Sequence, residues 1–202
     1  VVATDYFDAF IRNNGLEYVL TTEMTDEEIL SEFVSSTLPY KLREALKAYV
    51  RTVSGPLAVR SSSKLEDSHY QPFAGIYSTY MIPYTEGNED RQLRLLQKAI
   101  KSVYASTYFA ASKAYVQSSQ NLIAEEKMAV VIQEVCGTEQ DGLFFPTLSG
   151  VARSINYYPI GDETPEEGVC NIALGLGKLV VDGGRTLRFS PRYPQKVLQT
   201  ST

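Results

Sequence analysis

The chain has 202 residues, with 19 basic and 24 acidic side chains, a net charge of −5, one His and two Cys. Hydrophobic residues make up 44% and charged residues 21%, which are globular proportions that exclude wholesale disorder and collagen-like structure. The acidic balance argues against a nucleic-acid partner, because phosphate backbones are bound by clustered Lys and Arg. No apolar run reaches the ~18 residues of a membrane span, so we expect no membrane partner. Two cysteines far apart in sequence favour a reducing, cytoplasmic location.

The first 55 residues show apolar side chains at helical spacing and predict three helices. The first is ended by Gly15, and the second begins at the capping-box pattern that starts with Thr25. The third extends from about Tyr40 to Val53 and ends at Ser54-Gly55-Pro56. The chain therefore opens with an α-rich segment.

Strands and helices then alternate before the pattern becomes β-rich beyond residue 125. We predict a buried strand from Pro56 to Arg60, a loop over 64–76, a strand from Ser78 to Ile82, and a long helical stretch from Asp90 to about Ser118 that breaks near Thr107. In the second part we predict strands over Met128–Val135, Gly150–Tyr158, Val169–Leu174 and Thr186–Phe189, with a short helix from Lys178 to Asp182. The expected fold class is α+β.

The segment from Val59 to Tyr80 carries the strongest chemical signal. A buried strand presents Arg60 and three serines at its end. A guanidinium donates bidentate hydrogen bonds to phosphate oxygens and is never deprotonated, and serine hydroxyls such as Ser61 add neutral donors. The residues alone fit a polyphosphate site and, equally, a capped strand end with a solvated Arg.

Four ordered stretches resemble the nucleotide-binding domain of the phosphoenolpyruvate synthase family. They are Val59–Asp67 with Phe73-Ala74-Gly75 and Thr79-Tyr80; Met128–Val135; Ser149-Gly150-Val151-Ala152; and Gly175-Leu176-Gly177 with Val180-Val181 and Gly183. Pyruvate phosphate dikinase shares this domain, but its loop reads Arg-Ser-Gly-Ala-Arg, so the present loop is closer to the synthase type. We therefore expect a divergent member of this family.

The resemblance implies a partial ATP-grasp domain, with an α-rich first lobe over about 1–125 and a β-rich second lobe over about 126–202 that close on ATP. It also implies an ATP-dependent phosphotransferase of the pyruvate, water dikinase type. Phosphate would pass from ATP, with Mg²⁺, to a histidine on a carrier domain and then to pyruvate on a third domain. The partners implied are thus ATP and these two further domains.

Residue by residue, the resemblance assigns the ATP phosphates to Arg60, which is the one catalytic residue expected here. Gly75 and Thr79 match the loop and strand that cover those phosphates. Gln133, Glu134 and Val135 match the segment between the lobes whose backbone contacts adenine. The metal ligands are expected outside this chain.

Several departures from the family pattern affect the expected activity. Lys178 stands where relatives have Glu, and neither the upstream Gly-Gly-Lys segment nor the downstream acidic pair and Gln-x-Arg strand occurs in these 202 residues. His69 lies inside the nucleotide loop and is not the carrier histidine. We therefore expect a fragment with an incomplete site that does not turn over ATP alone.

Two alternatives stay open: a non-catalytic nucleotide-binding module, and a related dikinase or phosphotransferase whose acceptor is an antibiotic, a glucan or free phosphate. An ATP-grasp carboxylate–amine ligase is disfavoured, because such enzymes do not share the Arg-Ser-Ser and Phe-Ala-Gly loop. Outside the motifs we predict structural roles. The acidic stretch from Glu163 to Glu167 is expected to be a solvated loop, and Cys136 and Cys170 are expected to be buried thiols.

Overall fold

A computed structural model of the chain describes most of its residues, namely 1–63, 77–118, 127–177, 180, 185–195 and 197–198. The chain divides into two compact units, Val1–Val135 and Cys136–Thr202. The division falls after the strand that begins at Met128, whereas the sequence placed it near residue 125. That strand pairs with a strand of the first unit along its whole length and so belongs to it. Of the helices in the described part of the chain, none has the length and apolar character of a membrane span.

The first unit is mainly helical, and its helices confirm the α-rich start. They are α1 (Thr4–Asn14), α2 (Asp26–Ser35), α3 (Tyr40–Val50), α4 (Glu89–Ser106) and α5 (Ala110–Ser118). Gly15 ends α1 with a φ of 62°, a left-handed conformation that favours glycine. Thr25 and Glu28 form the predicted capping box at the start of α2. The break between α4 and α5 also occurs near Thr107, as predicted.

Three antiparallel strands complete the described part of this unit: β1 (Leu57–Ser63), β2 (Tyr80–Ile82) and β3 (Met128–Glu134), in the order β2-β1-β3. The central strand β1 continues through the serines, three residues beyond the predicted end at Arg60. The reason is its partner β3, which pairs with it from Leu57 to Ser63 and supplies hydrogen bonds that sequence patterning cannot foresee. The loop predicted over 64–76 lies outside the described residues.

The core of the first unit lies between the helices and one face of this sheet. Phe10, Phe33 and Tyr104 are fully buried, and the ring of Phe10 contacts the rings of both Phe33 and Tyr104. Leu57 and Val59 of β1 are equally buried. Burying a side chain of this size stabilises a fold by about 1.5–3 kcal/mol, so the core holds β1 firmly in place.

The second unit is β-rich, as predicted. Its described strands are β4 (Thr138–Gln140), β5 (Leu143–Phe145), β6 (Leu148–Arg153), β7 (Val169–Leu174), β8 (Leu187–Phe189) and β9 (Val197–Leu198). The pair β4–β5 is a hairpin that the sequence analysis missed, and β6 to β9 form an antiparallel sheet in chain order. The strand predicted over Gly150–Tyr158 ends at Arg153. Most of the short helix predicted from Lys178 to Asp182 lies outside the described residues.

The acidic stretch of this unit is not a solvated loop throughout, so that prediction is wrong for Glu163. Its side chain is only 4% exposed and forms a bidentate ion pair with Arg188, at 2.8 and 2.7 Å. Its Oε2 also accepts hydrogen bonds from the Asn156 side chain and the Ile160 backbone, both at 2.9 Å. The hydrogen bonds from Arg188 hold the pKa of the Glu163 carboxyl below its ordinary value.

The two cysteines also differ from expectation. Cys136 is exposed and Cys170 is half-buried, and both are free thiols. The prediction of two buried thiols is therefore wrong. Cys136 is the first residue of the second unit and lies two residues after the end of β3.

We expect Glu163→Gln to destabilise the chain at pH 7, because Arg188 would lose its buried counter-charge. The loss should be about 3 kcal/mol, the magnitude typical of a broken buried ion pair. A carboxyl with a depressed folded pKa stabilises above its unfolded pKa, and this contribution disappears as the pH falls through the folded pKa. The wild-type advantage over Glu163→Gln should thus shrink below about pH 4.5. Thermal unfolding of both proteins at pH 7 and pH 3 measures it.

Glu166→Gln is the matched control, because Glu166 lies in the same stretch and is exposed. It should change stability little at either pH. Equal effects of the two substitutions at pH 7 would contradict the assignment of the stabilising charge to Glu163.

Candidate functional site

Arg60 lies on the central strand of the three-stranded sheet, with its side chain turned away from the core. Leu57 and Val59 point into the core and are 0% exposed. Because successive side chains of a strand point to opposite faces, Arg60 lies on the outer face, and it is exposed. The strand that the core fixes thus presents a permanent positive charge to solvent.

Gln133 of β3 lies on the same outer face and contacts Arg60. The register pairs Arg60 with Val131, so Gln133 is its diagonal neighbour, within reach of a long side chain. The Arg60 Nη1 donates a hydrogen bond to the Gln133 Oε1 at 3.4 Å. Among the residues that the structure describes, no carboxylate forms an ion pair with Arg60. In this part of the chain, the guanidinium is exposed and has no carboxylate counter-charge.

The other residues predicted to contact phosphate are placed differently. Thr79 directly precedes β2 and is exposed. The register pairs Val59 with Tyr80, and its continuation by one residue would place Thr79 opposite Arg60. Ser61 is half-buried and, as the next residue along β1, lies on the face opposite to Arg60. Gly75 lies outside the described residues. The structure thus brings Thr79, but not Ser61, to the side of the sheet where Arg60 lies.

Of the three predicted adenine residues, Gln133 and Glu134 end β3 and Val135 follows it, and their backbones point in alternating directions. The N–H of Val135 donates to the Pro56 carbonyl at 2.8 Å, towards β1. On the opposite edge, Val130 exchanges two backbone hydrogen bonds with Val2 at 2.8 and 2.9 Å. Since antiparallel strands alternate the direction of their N–H and C=O groups, Glu134 points these groups outward, like Val130. Within the described part of the chain, they have no backbone partner.

The carboxylate of Glu134 lies away from Arg60. Its Oε1 would be 2.7 Å from a Cβ placed on Gly55, so the side chain occupies space that Gly55 leaves open. Burial, and secondly the charge of Glu134, raise the pKa of the Tyr49 hydroxyl above its ordinary value. Because Glu134 pairs with Leu57 on the core-facing side, its negative charge does not compete for the Arg60 guanidinium.

In the second unit, two of the sequence motifs are joined by a hydrogen bond that the sequence analysis did not predict. The Ser149 hydroxyl donates to the Gly175 carbonyl at 2.7 Å, and the Gly175 N–H donates to the Thr147 carbonyl at 3.1 Å. The Ser-Gly-Val and Gly-Leu-Gly motifs therefore meet at one end of the β6–β7 pair. Ser149 pairs with Ala173 in the register of these two strands, so it lies close enough to Gly175, two residues further along, to form the hydrogen bond.

Metal ligands are the remaining part of the expected site. The described ranges contain no group of three or more His, Cys, Asp or Glu side chains that could hold a metal ion. We therefore assign no Mg²⁺ ligand among the described residues.

Comparison with known proteins gives the family. The sequence model of the family described as "Pyruvate phosphate dikinase, AMP/ATP-binding domain" matches residues 1–197. The chain belongs to this family. Its fold of mixed helices and sheets and its phosphotransferase relatives agree with the resemblance seen in the sequence motifs.

Two curated relatives are much longer than the chain. An uncharacterized phosphotransferase, YvkC of Bacillus subtilis (strain 168), is 31% identical over 193 residues, which are 92% of this chain and 20% of the relative. The phosphoenolpyruvate synthase of Aeropyrum pernix is 30% identical over 169 residues, 80% of this chain and 18% of the relative. The chain thus spans about a fifth of the length of these two relatives.

We expect Gly150→Ala to weaken the β6–β7 pair, because a Cβ there would lie 2.7 Å from the Asn171 carbonyl oxygen and 2.8 Å from the Ile172 Cγ2. The backbone must shift to relieve the first contact, and such overpacking costs roughly 1–3 kcal/mol. Thermal unfolding and amide hydrogen exchange along β7 measure the effect. Gly177→Ala is the control, since its Cβ would meet the Ser149 Cβ at 3.5 Å, an ordinary contact. Equal stability of the Gly150→Ala and Gly177→Ala variants would refute the close approach of position 150 to the Asn171 carbonyl.

Proposed function

We propose that this chain binds ATP and is the nucleotide-binding part of a phosphoenolpyruvate synthase-like phosphotransferase. The observation that carries the proposal is the placement of Arg60 within a family described as AMP/ATP-binding. Its guanidinium is exposed on the central strand, and no carboxylate among the described residues neutralises it. A fixed cation of this kind suits polyphosphate, because Arg presents a fork of donors that matches phosphate oxygens.

We assign the phosphates to the outer face of the sheet near Arg60 and Thr79. Phosphoryl transfer needs charge neutralisation and in-line positioning more than covalent help, and Arg60 supplies the first of these. The resemblance adds Gly75 in the covering loop. Ser61 lies on the opposite face of β1, so we propose for it a role in holding the strand end rather than a direct phosphate contact.

We assign adenine to the free edge of β3 at Glu134. Its outward N–H and C=O groups form a donor–acceptor pair that can hydrogen bond to a purine edge without side chains. Val131, the residue paired with Arg60, lies three positions before Glu134. Three steps of a strand span roughly 10 Å, and an extended nucleoside triphosphate can bridge that separation. The base and phosphate assignments are therefore compatible with one bound molecule.

For the intact protein we propose transfer of phosphate from ATP to a carrier histidine and then to pyruvate. The phosphoenolpyruvate synthase relative and the synthase-type loop around Arg60 support this acceptor. We further propose that the two compact units correspond to the two lobes of an ATP-grasp domain, and that the protein is cytoplasmic. The second candidate is a non-catalytic nucleotide-binding module, which is favoured by Lys178 at a position where relatives have Glu.

Substitution of Arg60 tests the assignment of the phosphates. Arg60→Ala should weaken binding of a non-hydrolysable ATP analogue with Mg²⁺ by roughly tenfold or more, the usual effect of losing a hydrogen bond to a charged group. Adenosine binding should change little, because the substitution lies on the phosphate side. Calorimetric titration of both ligands against the wild type and the variant measures the difference.

Arg94→Ala is the matched control, since Arg94 is an exposed arginine of the same unit on α4. It removes the same charge from another surface and should leave the affinity unchanged. An Arg60→Ala variant that binds the analogue as tightly as the Arg94→Ala variant would eliminate the proposed phosphate site.

We also expect the chain alone to bind nucleotide without completing the transfer. The reason is that the Gly-Gly-Lys segment and the acidic pair of the family do not occur in its 202 residues. Release of phosphate from ATP by the purified chain should therefore stay at background. Hydrolysis that Arg60→Ala abolishes, and that Arg94→Ala does not, would show an active site within this chain and overturn the expectation.

A further inference from the structure

We propose that the Gln133 side chain is a positioning residue, which holds the Arg60 guanidinium in place for phosphate without neutralising its charge. The inference deepens the proposed function and rests on it. It differs from the role that the sequence resemblance gave to Gln133, because it concerns the side chain on the outer face rather than the backbone. The observation behind it is the Nη1–Oε1 hydrogen bond of 3.4 Å between residues 73 positions apart.

Besides Gln133, Arg60 has further neighbours on the outer face of β1 and β3. Its cross-strand neighbour is Val131, and Ala58 and Ser62 precede and follow it on the same face of β1. Val131 and Ala58 carry no polar side-chain atom. Among the described residues, the guanidinium forms its hydrogen bond with the Gln133 amide. A long exposed side chain loses rotamer freedom when it binds a ligand, so a neighbour that orders it beforehand favours binding.

The Gln133 side-chain amide can accept a hydrogen bond from Arg60 in only one orientation. A guanidinium only donates, so the Gln133 atom that faces Arg60 must be the carbonyl oxygen. The amide nitrogen then points away from Arg60, and within the described residues no hydrogen bond is formed by it. The free donors of the two side chains are then the remaining guanidinium N–H groups and the amide NH₂ group. Such an array suits the oxygens of a polyphosphate, which are hydrogen-bond acceptors.

An amide at position 133 affects the charge of Arg60 differently from a carboxylate at that position. A carboxylate at position 133 would also accept from Arg60, but it would pair with the positive charge and repel phosphate oxygens. Glutamine gives the orientation and keeps the full charge. The carboxylate that follows it in sequence, Glu134, is turned to the other face, where it pairs in register with Leu57. The alternation of the strand thus keeps the negative charge away from the site.

The test is a double-mutant cycle on the whole chain, with a non-hydrolysable ATP analogue and inorganic tripolyphosphate, each with Mg²⁺, as probes. Gln133→Ala should weaken both probes about tenfold, and adenosine should bind as before. In the Arg60→Ala background, Gln133→Ala should cause no further loss, because a positioning residue acts through the group it positions. Gln133→Glu should bind both probes more weakly than Gln133→Ala.

Gln140→Ala is the control, since Gln140 is an exposed strand glutamine that donates to the Thr138 hydroxyl at 3.2 Å. It should leave every affinity unchanged, and circular dichroism should show all variants folded. Full affinity in Gln133→Ala, or losses that add in the double variant, would overturn the inference. If Arg60→Ala itself binds normally, the proposed phosphate site fails first, so the two failures can be told apart.

Discussion

The pairing of β1 with β3 is the constraint on which the rest of the site depends. Its register extends over seven pairs, from Leu57 with Glu134 to Ser63 with Met128. Side chains of a strand alternate with a period of two, so a slip of one residue would exchange the two faces. Such a slip would bury the Arg60 guanidinium and expose Val59, at the large energetic cost of an unpaired buried charge. The register and the chemistry of the outer face are therefore set by the same packing.

Burial on the inner face enforces that register from both strands. Val59 of β1 and Met128 and Val130 of β3 are all 0% exposed. Lys101 of α4 adds rigidity to the helical layer, because its ammonium group donates to the Val34 and Ser36 carbonyls at the end of α2. The face that packs against the core thus fixes the position of the outer face, where the proposed phosphate contact lies. This division explains why a site made of few polar groups can be well ordered.

The sequence was sufficient to predict what local patterning determines. Capping at Thr25 and termination at Gly15 depend on neighbours a few residues away, and both are predicted from the sequence. The end of β1 at Ser63 depends on pairing with a distant strand, and the prediction placed it three residues too early. The contacts that were missed join distant segments. Arg188 meets Glu163 across 25 residues, and Arg60 meets Gln133 across 73. A pattern of residue types cannot give the register that brings such pairs together, and so the prediction of a solvated loop is wrong at Glu163.

The end of β3 would contribute to both the phosphate and the base side of the proposed nucleotide, through a side chain at one position and the backbone at the next. At position 133 the side chain faces Arg60 and its backbone belongs to the ladder with β1, where Gln133 pairs with Ala58. At position 134 the backbone is outward and the side chain turns to the other face. The residue that positions Arg60 and the residue that contacts the base would therefore be successive in sequence, and both would shift if β3 moved. A nucleotide bound in this way would bridge the outer face and the free edge of one strand, which couples recognition of the base to the geometry of the transferring phosphate.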